Sequence, residues 1–483
     1  MGALIHAVSP AWVLLSVLGV GALAWTSWGK GGRGRQSHGH SRWATGRDLR
    51  QLTQRGGRRN GIVLGWFGRS LVTAPAEDNV LAFGVQRSGK TSTLVIPTLL
   101  EWQGAAVATS TKEELVRLTG PFRRQHGRVL VFAPLEQDRG WASGSGVEVV
   151  TWNPLAEAEA SGAAAELADH FTAAGKESAS AHWYHSAASL LTALFMVQHQ
   201  AGGDLSAVLE TLDQTFTRGY LAMSVNAPGL ARQILKGIGS TPDKEAGSII
   251  STARACLSLW LDERVAVATR AGEPSLDLDR FLADGQTLYL VSPAEEAERC
   301  RPLFSALLAS LLRKATARAR ALGGVLQPRL LLALDEVANF ARVPRLDSYV
   351  STGPGQGIQT LLCFHDLAQL EAGYGQERAR TIWNNCRARV LLPGQGDLKT
   401  LDHFSRAIGE ETVHFDTRNW NSSGSGGSEG RIARPLCSPD ELRRSPDTIA
   451  VYANLPPVRL KPRRWDQVPA WRQAVTSLTS DPA

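Results

Sequence analysis

No two of the five cysteines (Cys256, Cys300, Cys363, Cys386 and Cys437) stand in a C-x-x-C pair, and long stretches separate them. Neither a zinc site nor a disulfide framework is indicated, and the pattern suits reduced thiols in a cytoplasmic body. No internal repeat is present, which excludes a solenoid or a propeller. Charged residues make up 20% and hydrophobic residues 43% of the 483, a balance that excludes wholesale disorder and allows a large core. The length suggests about two or three domains.

Residues 1–29 lack Asp, Glu, Lys and Arg altogether. Within them "AWVLLSVLGVGALAWTSW" (Ala11 to Trp28), with the apolar "ALIHAV" before it, reaches the roughly 20 residues that span a bilayer. Trp12, Trp25 and Trp28 lie near its ends, where indoles favour the membrane interface. Of the 52 Lys and Arg, ten fall between Lys30 and Arg69 beside a single acid, Asp48, which leaves 42 basic against 44 acidic residues from 70 onward. A cleavable signal peptide carries its positive charge ahead of the apolar run, so this order disagrees with one. The positive-inside rule instead puts the N-terminus outside and the chain after Lys30 in the cytoplasm, in a single pass through the cell membrane. The bland alternative is a buried core helix. The Arg-rich stretch either lies against anionic headgroups or also touches nucleic acid.

"FGVQRSGKTSTLVIPTLL" (Phe83 to Leu100) contains Gly84, four residues, then Gly89-Lys90-Thr91, the full phosphate-loop pattern. The backbone of Gly84, Val85, Gln86, Arg87, Ser88 and Gly89, continuing through Lys90, Thr91 and Ser92, can cradle phosphate. Lys90 reaches the β/γ-phosphates and the Thr91 hydroxyl holds Mg²⁺. An apolar strand-like run, "NVLAFGV", precedes the loop and helical spacing follows it, as the motif requires. A plain strand-to-helix turn is the alternative, and this context disfavours it.

Further apolar runs read as central strands of a parallel sheet: "GAAVATS", "RVLVFAP", "QTLYLVSP", "RLLLALDEV", "IQTLLCFH" and "ARVLLPGQ". From about 155 to 276 the period turns helical, giving an all-helical domain inserted into an α/β domain. The expected organisation is an anchor at 1–29, a basic juxtamembrane segment at 30–69, nucleotide-binding parts at 70–154 and 277–470 around the helical domain at 155–276, and a tail at 471–483. "RNWNSSGSGGSEGR" (Arg418 to Arg431) reads as a mobile Gly/Ser loop. In "RLLLALDEVANF", Asp335 and Glu336 end a buried strand, where ligands collect in open α/β sheets. Asp335 is placed to complete the Mg²⁺ shell and Glu336 to polarise the attacking water of an ATP hydrolase. A solvated acidic turn is the alternative.

The order of "HSRWATGRDL", the phosphate loop, "TSTKEELVRLTGPFRRQHGRVLVFAP", "WNPL", "LLLALDEVANF", "GPGQGIQTLLCFHDLAQLEAGYG" and "RPLCSPDELRRSPDTIAVYANLPPVRLKP" resembles the coupling proteins of type IV secretion and conjugation. These are TraG/TraD-type membrane-anchored ATPases related to FtsK/HerA translocases. The resemblance covers nearly the whole chain. It implies a RecA-like P-loop NTPase fold, a homo-hexamer at the inner membrane face, ATP and Mg²⁺ as ligands, and relaxase-bound single-stranded DNA passed toward a secretion channel. Departures are one apolar span where relatives usually have two, Ser110 where they commonly have Asp, and His365 where they commonly have Gln. A γ-phosphate sensor then falls to His365 or Gln369. Motors of this fold need a cation from a neighbouring subunit. Arg387 or Arg389, before a strand expected near the sheet edge, are candidates beside an ordinary ion-pair role. Arg342 and Arg345 are rivals. Two other readings keep the nucleotide site: a cargo receptor that does not pump, and an ATPase that powers channel assembly without touching DNA.

Overall fold

The computed structural model describes residues 39–53, 61–136, 146–175, 181–214, 217–272, 274–340, 342–421 and 424–473. The apolar run at 11–28 lies outside them. Among the described residues no helix is long and apolar enough to cross a membrane. The chain divides into a larger unit, Trp43–Ile408 with Ser438–Ala483, and a smaller one, Met1–Arg42 with Gly409–Cys437.

Strands run in chain order as β1 (Gly61–Phe67), β2 (Ser70–Pro75), β3 (Val80–Phe83), β4 (Ala105–Ser110), β5 (Val129–Phe132), β6 (Glu148–Val149), β7 (Thr287–Val291), β8 (Leu330–Leu334), β9 (Ile358–Phe364), β10 (Ala388–Leu391), β11 (Glu410–Asn421), β12 (Gly424–Pro435), β13 (Thr448–Tyr452) and β14 (Val458–Leu460). In the larger unit ten of them form one sheet in the order β14-β13-β10-β3-β9-β8-β4-β7-β5-β6. From β10 to β6 every pairing is parallel, and β13 and β14 add antiparallel strands beyond β10. All seven apolar runs of the sequence become strands of this sheet. Parallel strands are covered on both faces, so they stay apolar throughout rather than alternating; "LLLAL" of β8 is buried at every position.

One face packs Leu94, Leu99, Trp102, Leu115 and Val116 against the sheet. The other carries an aromatic cluster in which Phe83 meets Phe364, Trp383 and Phe404 at centroid distances of 6.3, 5.8 and 5.9 Å. Tilted and edge-on ring pairs of this kind add to the area term.

Between β6 and β7 the chain is helical, and its two ends meet. Thr151 N donates to Pro274 O and Leu276 N to Thr151 O, both at 2.8 Å, so the helices leave the sheet and return at one point. The "WNPL" stretch begins this excursion: Asn153 Oδ1 accepts from Leu155 N at 3.0 Å, Asn153 Nδ2 donates to Gly203 O at 3.0 Å, and Pro154 takes the first helical position.

Three expectations need correcting here. The described parts of the segment up to 69, residues 43–53 and 61–69, are folded, with Leu49, Leu52 and Ile62 in the core, because their apolar residues are buried while the charged ones stay outside. Trp471, placed in a tail, is buried in the same core. The Gly/Ser stretch at 418–431 lies in an antiparallel hairpin, β11 with β12, registered from Glu410↔Pro435 to Asn421↔Gly424. Ladder hydrogen bonds come from the backbone, and flanking pairs such as Val413↔Ile432 are enough to set register where glycine and serine give no pattern.

Candidate active site

The phosphate loop leaves the C-terminal end of β3 and turns directly into a helix, π-wound over Lys90–Val95 and α over Ile96–Glu101. Gly89 sits at φ 95°, a conformation glycine adopts without a Cβ penalty, and a Cβ there would lie 3.2 Å from Thr93 Cγ2. Arg87 is also left-handed, at φ 65°. Lys90 is 6% exposed. Its ammonium donates to Gly84 O at 2.5 Å and Val85 O at 3.2 Å and stands 3.4 Å from His365 Nδ1. The charge is thereby held at the mouth of a helix N-terminus, the natural place for an anion.

β8 lies two strands from β3, with β9 between them, and carries Asp335 and Glu336 past its C-terminal end. Asp335 Oδ2 accepts the Thr91 hydroxyl proton, Asp335 Oδ1 accepts from Glu336 N at 3.1 Å, and Thr109 Oγ1 donates to Asp335 O at 2.8 Å. Burial pushes the Asp335 carboxyl above its ordinary range, while the Thr91 hydrogen bond and the Lys90 charge pull the other way. Glu336 is less buried and holds φ 52°, a left-handed backbone that no residue with a Cβ adopts freely. Strain of this kind is stored where function requires it.

Loop, carboxylates and the residues after β4 enclose a cavity of about 480 Å³, within the range of nucleotide-sized sites. The Thr91 hydroxyl and the Asp335 carboxylate are two touching hard oxygen donors. That set suits Mg²⁺, which takes one or two protein oxygens and completes its shell with phosphate and water.

Residues 43–473 match the family described as type IV secretory system conjugative DNA transfer. The chain belongs to that family. Among conjugative DNA transfer relatives, the conjugal transfer protein TraG of Escherichia coli is 27% identical over 467 residues, covering 85% of this chain and 71% of that one. Protein VirD4 of Rhizobium rhizogenes is 25% identical over 463 residues, covering 90% and 66%. The chain therefore spans about two thirds of the length of these relatives. In fold it is similar to the plasmid coupling protein TrwB in complex with ADP and Mg²⁺, with TM-score 0.62 and 19% identity over 90% of this chain and 97% of that one. The mixed α/β sheet of the larger unit, together with this likeness, fits a RecA-like NTPase fold.

Of the loop residues expected to hold nucleotide in this conjugative DNA transfer protein, Val85, Gln86, Arg87, Gly89, Lys90, Thr91 and Ser92 line the cavity. Gly84 and Ser88 stand behind them: Gly84 offers its carbonyl to Lys90, and a Cβ there would meet Ser88 Oγ at 2.4 Å. His365 directly follows β9, the strand beside β8, and stands against Lys90. Neither His365 nor Gln369 lines the cavity; Gln369 supports His365, its Oε1 accepting from His365 N at 2.7 Å.

Arg387 does not have the place near the sheet edge expected of it, which is a correction. It precedes β10, at the end of the parallel strands opposite the phosphate loop, and pairs with Asp78 at 3.3 Å over the Tyr452 ring at 5.8 Å. Buried Asp78 also accepts from the Tyr452 hydroxyl, and the Arg387 side chain itself is exposed. β10 is also not an edge, since β13 and β14 cover it. Arg389 lies over the Trp383 ring and Arg342 over Tyr374; neither they nor Arg345 line the cavity.

Sequence reasoning missed Lys112 and Glu114 after β4, and Arg464 and Trp465 near the C-terminus, all of which line the cavity. The first pair was within reach, since polar residues following a central strand lie where α/β sheets bind ligands. The second carried no local signal.

Proposed function

We propose that this protein is the coupling ATPase of a type IV conjugation or secretion system, binding magnesium–ATP at the phosphate loop and using its hydrolysis to pass single-stranded DNA, delivered with a relaxase, toward the channel. One observation carries the reading: Glu336 is kept in a strained backbone beside Asp335, whose carboxylate meets Thr91 of a complete phosphate loop. A receptor that only binds nucleotide has no use for that carboxylate.

Lys90 neutralises the β/γ-phosphates, the loop N–H groups orient them, and Glu336 takes the proton of the water that attacks the γ-phosphorus as the β–γ bridging bond breaks. Thr91 and Asp335 would hold Mg²⁺, which supplies charge neutralisation on the β- and γ-oxygens when bound. His365, against Lys90 at the end of β9, is the group best placed to register the γ-phosphate, with Gln369 fixing its backbone. Relatives named as conjugal transfer and coupling proteins, and the ADP and Mg²⁺ bound to TrwB, support the same assignment.

The same proposal makes the protein a homo-hexamer at the cytoplasmic face of the cell membrane, anchored by residues 1–29, with the helices between β6 and β7 acting as a domain of their own. From 70 onward the chain is near neutral, with 42 basic against 44 acidic residues, so DNA contact rests on local basic patches and not on a global field. ATP hydrolysis by the full chain in detergent, with and without single-stranded DNA, tests this. Stimulation that falls steeply as salt rises is the expected result. Hydrolysis indifferent to DNA at every salt concentration favours the channel-assembly reading.

A further inference from the structure

Residues 461–473, after β14, pack back onto the larger unit. Trp66 N donates to Lys461 O and Lys461 N to Trp66 O, both at 2.8 Å, which ties the start of this strap to β1. Arg463 follows and is 8% exposed. Its Nη2 donates to Glu101 Oε1 at 2.8 Å, and its guanidinium lies 5.4 Å from the Trp66 ring centroid and 4.4 Å from that of Trp471. Glu101 is the last residue of the phosphate-loop helix. The strap is therefore fixed to the far end of the helix whose near end is the phosphate loop.

Next in the chain, Arg464 and Trp465 line the cavity. Both donors that Arg464 uses, Nε and Nη2, go to Asp466, at 3.0 and 2.9 Å. Its fork is spent on holding the short 3₁₀ turn Trp465–Gln467. Trp465 is half-buried and packs against the core, so its ring has a fixed place. Lys90, Thr91, Asp335 and Glu336 are the lining residues assigned to the phosphates and their metal. Beyond the loop, the lining mixes Ser110, Thr111, Lys112, Glu114 and Arg464 with the apolar Ile96, Leu115 and Trp465, and among all the lining residues Trp465 alone offers an aromatic ring for a base.

Resting on the nucleotide reading above, we propose that Trp465 is the base platform of the site, contacting the purine ring through its indole, and that Arg463 and Arg464 are positioning residues that hold it there. A π-face contact of this kind is sequence-tolerant and reads ring area, not base edges. Because Arg463 is anchored on Glu101, the strap that carries Trp465 is fixed to the same helix that begins at the phosphate loop.

The test separates base from phosphate. Binding of magnesium–ATP and of magnesium–tripolyphosphate, which has no base, is measured by calorimetry on the full chain in detergent, for wild type, Trp465→Ala and Trp465→Phe. The expected result is that Trp465→Ala weakens ATP binding by about tenfold, equivalent to ~1.4 kcal/mol, while tripolyphosphate binding stays within about twofold of wild type, and that Trp465→Phe recovers most of the ATP affinity. Equal loss for both ligands in Trp465→Ala, or unchanged ATP binding, overturns the platform assignment while leaving the nucleotide reading in place. Failure of the wild-type chain to bind either ligand overturns both.

Discussion

Glu336 offers a test of site geometry that does not depend on turnover. Its φ of 52° places it in the left-handed well, where a residue with a Cβ carries a cost of roughly 1–2 kcal/mol. Glycine escapes that cost but loses more chain entropy on folding, by roughly 0.5–1 kcal/mol relative to alanine. Comparing Glu336→Gly with Glu336→Ala cancels the carboxylate, including its repulsion from Asp335, and leaves the backbone. The difference works out at about 0.5–1 kcal/mol in favour of glycine. At a right-handed helical position the sign is reversed, with alanine ahead by about 1 kcal/mol. Thermal melting of the two full-length variants in matched detergent reads the difference as about 2 °C, glycine higher. Alanine melting above glycine would mean that Glu336 is not held left-handed, and the argument from stored strain fails.

Two more outcomes follow from the same frame. Arg123 is fully buried, and desolvation lowers its pKa to about 10; it donates to Leu99 O at 3.4 Å, Gly104 O at 2.6 Å, Thr287 Oγ1 at 2.9 Å and also to Trp102 O. It thus caps the C-terminal end of the phosphate-loop helix, and Arg123→Ala is expected to cost about 3–5 kcal/mol in chemical denaturation by leaving those acceptors unpaired; a loss below about 1 kcal/mol would contradict the capping role. Deleting residues 1–29 is expected to release the protein from membranes, apart from a salt-sensitive attachment through the basic segment, and salt-resistant membrane association of the truncated chain in flotation would place the anchor elsewhere.

What the sequence revealed follows local pattern closely. β3, β8 and β9 are apolar at nearly every position because both faces are covered, and a loop motif between β3 and a helix has few other meanings. Asp335 and Glu336 were legible because the strand ahead of them is. The partners of Arg387 were not: Tyr452 and Asp78, which share it, are 374 residues apart, and no local period announces such a pair. Arg464 and Trp465 were missed for the same reason, since a strap without periodicity is placed by Arg463 and its tryptophans and by nothing in its own spacing. β11 and β12 escaped because backbone ladders need no side-chain alternation, and a Gly/Ser run reads as coil until its flanks are paired.

The central claim is that Glu336 turns a bound nucleotide into a hydrolysed one at a site built by Lys90, Thr91 and Asp335. The most direct measurement is magnesium–ATP binding and phosphate release on the same preparations of wild type, Glu336→Gln and Lys90→Ala, with single-stranded DNA present. The account predicts that wild type binds and hydrolyses, that Glu336→Gln binds with affinity near wild type but releases phosphate at least about a hundredfold more slowly, and that Lys90→Ala loses both activities. Phosphate release at the wild-type rate by Glu336→Gln would contradict it.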